Sequence, residues 1–308
     1  MQAQLVFPSM EYFMRRILRL TVIGLVVGST MSACKPEEVI QTENIPTAGV
    51  RFINAVPDSS GAFGLDFRFV DLVESNAQFR VTFRNNPTTA GGITAATLTQ
   101  YKNARAGSRR FVVFLDDTIQ AIASTKLKDS TLTLEAGKNY TVIMWGAGRA
   151  GQMKVKVIEE TLTDPGAKVA VRVINATGAA IDASQYASVG TAPATPTWAN
   201  IAPFSASSYA LVDPSTTASL IRLKVRAAGG TTDLFPDMTA LRGALATSSL
   251  GAGGKLDISS IPGTDVAGSA VSLIVFPAST VGARTPQTAA FLVPAGAFVW
   301  DRRPPIGF

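Results

Sequence analysis

The sequence predicts an all-β protein made of two tandem antiparallel β-sandwiches, and three observations lead to this fold class. Only 16% of the 308 residues are charged while 46% are hydrophobic, with 26 Gly and 17 Pro to form turns. Many segments alternate apolar and polar side chains with the period of two that is typical of strands. A six-residue strand motif also occurs twice, at residues 50–55 and 171–176. Short alternating segments separated by turn residues indicate antiparallel sandwiches rather than a helical fold.

The chain begins with a segment typical of exported proteins. Residues 14–34 read MRRILRLTVIGLVVGSTMSAC, with arginines first, then an apolar stretch and then small residues. This order predicts a secretory signal peptide over residues 1–33, because the apolar stretch is too short for a lasting membrane span. The start stays open between Met1, Met10 and Met14, so residues 1–13 can be an upstream extension.

Cys34, the one cysteine of the chain, follows this segment directly. Met31-Ser32-Ala33-Cys34 resembles the bacterial lipobox, which implies a diacylglycerol on the Cys34 thiol and a mature chain that starts there. Buried acyl chains anchor a protein at about 0.8 kcal/mol per methylene. The alternative is cleavage near Ala33 that leaves a free thiol. We therefore expect a lipid-anchored protein of the bacterial cell envelope, and Lys35 after the cysteine favours the outer membrane, on its periplasmic or surface face.

The repeated motif sets the predicted domain boundaries. VRFINA and VRVINA agree at five of six positions, and TDPGAK at 163–168 precedes the second copy as a linker. A recurring motif placed after a linker predicts tandem domains of one kind, here immunoglobulin-like sandwiches. The predicted division is a signal peptide at 1–33, the lipidated cysteine and a polar tether at 34–48, sandwiches at 49–164 and 168–303, and a tail at 304–308.

The strands follow from local alternation. In the first motif, Val50 and Phe52 point to one face while Arg51 and Ile53 point to the other. The short Gly-containing stretch EAGKN, residues 135–139, predicts a hairpin between two apolar runs. LFPDMTALRGAL, residues 234–245, is the one tract with the pattern of a short helix. Further strands are predicted within 109–117, 130–145, 152–160, 219–230, 269–278 and 288–300.

Three segments of the first predicted sandwich resemble a known family. They are VRFINAVPDSSGAFGLDFRFVD, YKNARAGSRRFVVF and LTLEAGKNYTVIMWG, and they are similar to the bacterial domain-of-unknown-function family numbered 4397. Its pattern is matched at 50–58, 101–107 and 134–146, whereas the second sandwich retains VRVINA without the Pro-Asp turn. The resemblance implies an exported, often lipid-anchored β-sandwich repeat protein with no established activity.

Gly146, Gly148 and Gly151 spell G-x-G-x-x-G after a strand-like run, which raises the possibility of dinucleotide binding. A dinucleotide fold needs a helix after these glycines and an acidic residue after the next strand. Residues 152–158 instead alternate like a strand, and too few residues remain for a crossover helix. We therefore predict a glycine-rich hairpin turn and no nucleotide partner.

Composition excludes several kinds of chemistry. The chain has no histidine and one cysteine, so Ser-His-Asp catalysis, Cys-His catalysis and a Cys/His zinc cluster cannot form. The net charge of +6 includes three arginines of the signal segment, and the other basic residues are dispersed rather than interleaved with aromatics. We therefore expect no nucleic-acid partner and no cofactor.

Carboxylates and aromatics are the remaining ligand candidates. Asp116-Asp117 and Glu159-Glu160 end two strands, where carboxylates are usually solvated, and no calcium-binding loop pattern accompanies them. Trp145 and Tyr101 could line a groove for a sugar or peptide, although strand aromatics more often pack in a core. We interpret Trp145, Tyr101, Asp116 and Asp117 as the ligand-site candidates. The sequence favours a non-catalytic binding or structural protein with an unknown protein or glycan partner; the alternative is a carbohydrate- or peptide-binding or processing protein that uses these side chains.

Overall fold

The structure of the protein is a computed structural model. It describes residues 45–57, 65–71, 101–115, 119–243, 261–281 and 292–302, together with the backbone of 83–85. Cys34, the signal peptide, the predicted tether up to residue 44, Asp116, Asp117 and the tail at 304–308 lie outside these residues. Residues Pro46–Phe308 form one compact unit.

Strands dominate the described residues, in agreement with the predicted all-β class. One short helix, α1, occupies Gln120–Ala123 between two strands. The strands are β1 Thr47–Asn54, β2 Leu65–Phe69, β3 Phe83–Asn85, β4 Lys102–Arg105, β5 Gly107–Leu115, β6 Lys126–Leu134, β7 Asn139–Gly146, β8 Met153–Glu159, β9 Val169–Asn175, β10 Ile181–Ala187, β11 Trp198–Ile201, β12 Ser205–Ala206, β13 Ala210–Val212, β14 Ile221–Ala227, β15 Met238–Thr239, β16 Ala270–Phe276 and β17 Ala295–Arg302.

The first eight strands form two four-stranded sheets with the orders β4-β1-β7-β8 and β3-β2-β5-β6. Their facing sides share one apolar core, in which Phe52 of β1 stacks on Phe67 and Phe111 of the opposite sheet. Alternation explains this arrangement, because every second side chain of a strand points to the same face. We call this pair of sheets the N-terminal sandwich.

The remaining strands repeat the arrangement. One sheet has the order β12-β9-β16-β17, with β13 also paired to β9, and the other has the order β11-β10-β14-β15. Their core is mostly aliphatic, with Val173 and Leu223 fully buried and Trp198 at one side. We call this pair the C-terminal sandwich. Residues 160–168, which include the predicted TDPGAK linker, connect β8 to β9.

Two features differ from the predicted antiparallel sandwiches. Among the described strands, each sandwich contains one parallel pair, β1 with β7 and β9 with β16. The EAGKN hairpin prediction is wrong, because β6 and β7 belong to different sheets and β7 pairs with β1 instead. Gly137 in this turn has a φ of +78° and donates its N–H to the carbonyl of Thr47 at 2.8 Å. The turn therefore carries the chain across the core.

Two other predictions concern turns and the helix. The GAGRAG turn is confirmed, since β7 and β8 pair antiparallel with Gly146 opposite Met153. The helix predicted at 234–245 is wrong over the part that the structure describes, residues 234–243. Met238–Thr239 form β15 there and pair with Arg222 and Leu223 of β14. Tertiary pairing overrides the local helical pattern in this segment.

The strands β1, β9 and β16 are buried on both faces. Every residue from Ala48 to Asn54 is buried, as is every residue of β9 and β16. Such strands arise when a sheet is covered on both sides. In the two sheets that contain these strands, one face lies on the core of its own sandwich and the other face lies against the opposite sandwich.

Candidate functional site

The contact between the two sandwiches is an apolar surface surrounded by polar groups. Ile53 and Ile143 from the N-terminal sandwich pack in one cluster with Ile174 and Ile274 from the C-terminal sandwich. All four side chains are at most 1% exposed. Burial of this kind contributes about 25 cal/mol for each Å² of apolar surface removed from water. We call this contact surface between the two sandwiches, which is centred on the four isoleucines, the reciprocal face.

Two buried arginines lie on the reciprocal face at equivalent positions of the repeated motif. Arg51 lies 2.7 Å from Asp301 and 3.4 Å from Glu160. Arg172 forms a short ion pair with Glu160 and lies 3.6 Å from Asp301. The four charges therefore form a ring of alternating sign. Glu160 directly follows β8, and its N–H donates to the carbonyl of Asn139 in β7 at 2.9 Å, so it belongs to the N-terminal sandwich. The shortest ion pair of each arginine is therefore made to the carboxylate of the other sandwich.

Strand register positions a hydroxyl beside each arginine. Arg51 is opposite Thr141 in the parallel pair β1–β7, and its Nε donates to Thr141 Oγ1 at 2.8 Å. Arg172 is opposite Ser272 in the pair β9–β16, and its Nε donates to Ser272 Oγ at 2.8 Å. Thr141 in turn donates to Glu160. Ser272 likewise donates to Asp301.

A tyrosine ring covers each arginine from the neighbouring edge strand. The Arg51 guanidinium lies 4.7 Å from the Tyr101 ring centroid, and the Arg172 guanidinium lies 4.4 Å from that of Tyr209. The Tyr209 hydroxyl donates to Asp301 at 2.9 Å. Burial raises the pKa of both phenols above the ordinary value, so both stay neutral at physiological pH.

The charged contacts across the reciprocal face are thus matched in pairs. Each sandwich contributes an arginine, a hydroxyl, a tyrosine and a carboxylate, and each arginine meets the other sandwich's carboxylate. This is the contact pattern of an isologous dimer interface, here formed within one chain. The reciprocal face is therefore self-complementary in charge as well as in apolar surface.

A cavity of about 270 Å³ opens beside the charged ring. Arg302, at its wall, pairs at 2.9 Å with Asp164 of the connecting segment. The cavity is lined by Tyr101, Asn139, Glu160, Leu162, Tyr209, Asp301 and Arg302.

The charges around Asp301 determine the direction in which its pKa is shifted. Burial by itself raises the pKa of Asp301, but the positive charges of Arg51 and Arg172 outweigh burial and lower it below the ordinary value. A carboxylic acid catalyst needs a raised pKa so that it can hold a proton near neutral pH. Asp301 is therefore held as a bonded anion, which suits an ion pair and not acid catalysis.

Of the four predicted ligand candidates, Tyr101 and Trp145 lie in the part of the chain that the structure describes. Tyr101 lines the cavity and covers Arg51. Trp145 stacks on Phe204 of the C-terminal sandwich with ring centroids 4.0 Å apart, and the Lys154 ammonium lies 4.6 Å from the Trp145 ring. Trp145 therefore forms part of the contact between the sandwiches, and its role in ligand binding stays a prediction.

Sequence reasoning missed the charged ring. Glu160 was expected to be a solvated strand end, and this is wrong, because its side chain is only 5% exposed. The signal was present in the repeat. An arginine stands at the second position of both strand motifs, with an apolar residue on either side. Because these strands are buried on both faces, each arginine needs a buried ion-pair partner.

Among the described residues, no group of three or more His, Cys, Asp or Glu side chains could hold a metal ion. No helix in that part of the chain is long and apolar enough to cross a membrane.

The fold and the reciprocal face define an all-β protein in which two sandwiches meet through buried ion pairs. Residues 48–184 match the model of a family described as Domain of unknown function (DUF4397). The family recognised in the sequence is therefore confirmed over these residues. The matched segment covers the N-terminal sandwich and continues through β9 into β10, so it contains both Arg51 and Arg172. No curated protein matches the chain.

Proposed function

We propose that the chain is a lipid-anchored protein of the bacterial cell envelope that acts as a non-catalytic binding or structural module. The observation that carries this proposal is the charged ring of the reciprocal face. Glu160 and Asp301, the carboxylates that line the cavity, are both bonded to arginines in buried ion pairs. Carboxylates in such buried pairs serve as structural partners that hold the two sandwiches together.

The anchor is the second part of the proposal. Cys34 follows an apolar segment that begins with arginines, and Met31-Ser32-Ala33-Cys34 resembles a lipobox. In this proposal the lipid on Cys34 holds a short tether that carries two tandem immunoglobulin-like domains into the periplasm or onto the cell surface. The tether is polar and contains prolines, which suits a spacer.

Replacement of Cys34 by Ser tests the anchor. The variant should move from the membrane fraction to the soluble fraction and should no longer incorporate a labelled fatty acid, because serine offers no thiol for the diacylglycerol. Ser32→Ala, two residues away, is the matched control and should stay membrane-bound. The anchor proposal fails if Cys34→Ser remains in the membrane fraction as firmly as the control after a high-salt wash.

The cavity favours one second function, the binding of a glycan or peptide. Its lining combines the aromatic rings of Tyr101 and Tyr209 with the amide of Asn139, groups that commonly bind hydroxyls and peptide bonds. Leu162→Trp would fill the cavity from the connecting segment without removing a member of the charged ring. A glycan or peptide that stabilises the wild type but not Leu162→Trp would support this second function.

A further inference from the structure

We infer that the reciprocal face can also join two copies of this chain when closure within one chain is prevented, so that the N-terminal sandwich of one copy docks on the C-terminal sandwich of another. This inference concerns a partner and does not depend on the lipid anchor. It starts from the matched contacts, because a face that is complementary between two halves of one chain is equally complementary between the same halves of two chains.

The charges make this docking specific. Within one chain, Arg51 and Glu160 belong to the N-terminal sandwich, and Arg172 and Asp301 belong to the C-terminal sandwich. A separated half would leave one arginine and one carboxylate on an apolar surface that includes Ile53 and Ile143. An apolar surface with partly paired charges is unfavourable in water, so each half favours any surface that completes the ring.

The connecting segment determines whether the two sandwiches of one chain contact each other or whether each contacts the other sandwich of a second copy, which we call the swapped dimer. Residues 160–168 join β8 to β9, and a connection of this length holds the two halves at an effective concentration in the millimolar range. We therefore expect the wild-type chain to be closed and monomeric in dilute solution. Docking between copies becomes favourable when the intramolecular contact is prevented while intact halves are still available.

Complementation between two variants of residues 35–308 tests the inference. Arg51→Glu places three carboxylates against one arginine and prevents closure through the N-terminal half, while the C-terminal half stays intact. Arg172→Glu does the opposite. Both are made in a chain that starts at residue 35, so that no thiol is present. In the mixture, the intact N-terminal half of the Arg172→Glu chain meets the intact C-terminal half of the Arg51→Glu chain.

The expected result is a doubled mass by light scattering in the mixture alone, with the two variants in a one-to-one ratio. Matched controls are Arg110→Glu and Arg226→Glu, which change the same charge on other faces, where the side chains are 55% and 34% exposed. These two variants and their mixture should stay monomeric. The inference is overturned if Arg51→Glu and Arg172→Glu each show a cooperative thermal transition and their mixture stays monomeric.

A second pair of variants covers the case in which a charge reversal prevents folding. Deletion of residues 163–166 shortens the connection so that the halves of one chain cannot close. Replacement of the same four residues by Gly-Ser-Gly-Ser keeps the length but removes the ion pair of Asp164 with Arg302. The inference expects a dimer for the deletion and a monomer for the replacement. A monomeric deletion variant with a cooperative transition, or dimers of both variants, would contradict it.

Discussion

The two sandwiches have different cores but the same reciprocal face. Phe52 stacks on Phe67 and Phe111 in the N-terminal core, whereas Val173 occupies the equivalent position in an aliphatic core. On the reciprocal face, both halves present arginine, hydroxyl, tyrosine and carboxylate. A core accepts many apolar side chains if the volume is filled. Buried charges are less tolerant, because each one requires its partner at a fixed position.

The largest effect is expected from removing one arginine of the ring. Arg51→Met and Arg172→Met should each lower the free energy of unfolding by about 3–5 kcal/mol, because each leaves buried carboxylates without enough positive charge. Urea denaturation followed by tryptophan fluorescence measures this change. The two losses should be similar, since the two arginines have matched partners.

Arg110→Met is the control for this prediction. Arg110 pairs with Asp129 at 2.7 Å, but the arginine side chain is 55% exposed. Exposed pairs of this kind contribute about 0–1 kcal/mol because solvent screens them. The comparison between the sandwiches would be contradicted if Arg51→Met cost as little as Arg110→Met, or if only one of the two buried arginines mattered.

A smaller effect is expected from acid. The pKa of Asp301 is lowered in the folded chain, so its ion pairs contribute fully above the unfolded carboxylate value of about 3.9 and are lost as the pH falls through the lower folded value. After protease cleavage at the exposed residues 163–164, the two halves should elute together at pH 7 and separate in acid, at a pH below the unfolded carboxylate value of about 3.9.

Asp301→Asn is the matched variant, because asparagine does not titrate in this range. Its cleaved halves should associate more weakly at pH 7 and show a smaller further change in acid. Halves of the wild type that already separate at pH 7 would show that the charged ring does not hold the sandwiches together.

The strands could be predicted from the sequence because their signals are local. Alternation placed β5, β8, β14, β16 and β17, and the glycines placed the β7–β8 turn. The choice of the neighbouring strand with which each strand pairs does not depend on local sequence. The stretch EAGKN has the composition of a hairpin, but Tyr140 lies beside Val50 of β1, which is distant in sequence. Local composition cannot distinguish a hairpin turn from a turn that crosses between sheets.

The site was harder to predict than the fold, for a related reason. Trp145 and Tyr101 are conspicuous as residue types, and both lie at the boundary between the sandwiches. Glu160 and Asp301 stand at the ends of strands, where most carboxylates are solvated. Their burial depends on the second sandwich, so no pattern within one sandwich indicates it. The repeated arginine was the only local sign, and its meaning required both halves.

The smallest effect is expected in the connection between β7 and β8, which differs from the corresponding connection in the C-terminal sandwich. The N-terminal sandwich joins β7 to β8 through residues 147–152, whereas residues 277–294 join β16 to β17. In the short turn, Gly146 has a φ of +89° and Gly151 has a φ of +77°. An added Cβ at Gly146 would lie 2.5 Å from the carbonyl oxygen of Gln152, while a Cβ at Gly151 would meet nothing within 4 Å.

Gly151→Ala should therefore cost about 1 kcal/mol, the penalty for an L-residue in the left-handed region. Gly146→Ala should cost more, about 2–3 kcal/mol, because the new methyl group also forces the Gln152 carbonyl to move. Thermal denaturation of the two variants measures the difference, and equal losses would show that backbone conformation alone sets the requirement for glycine.

If these glycines serve the turn, NAD or ATP should not raise the melting temperature of the wild type. A nucleotide at a hundred times its Kd would add about 2.7 kcal/mol, so a saturable rise with either compound would show that the glycine-rich turn binds phosphate after all.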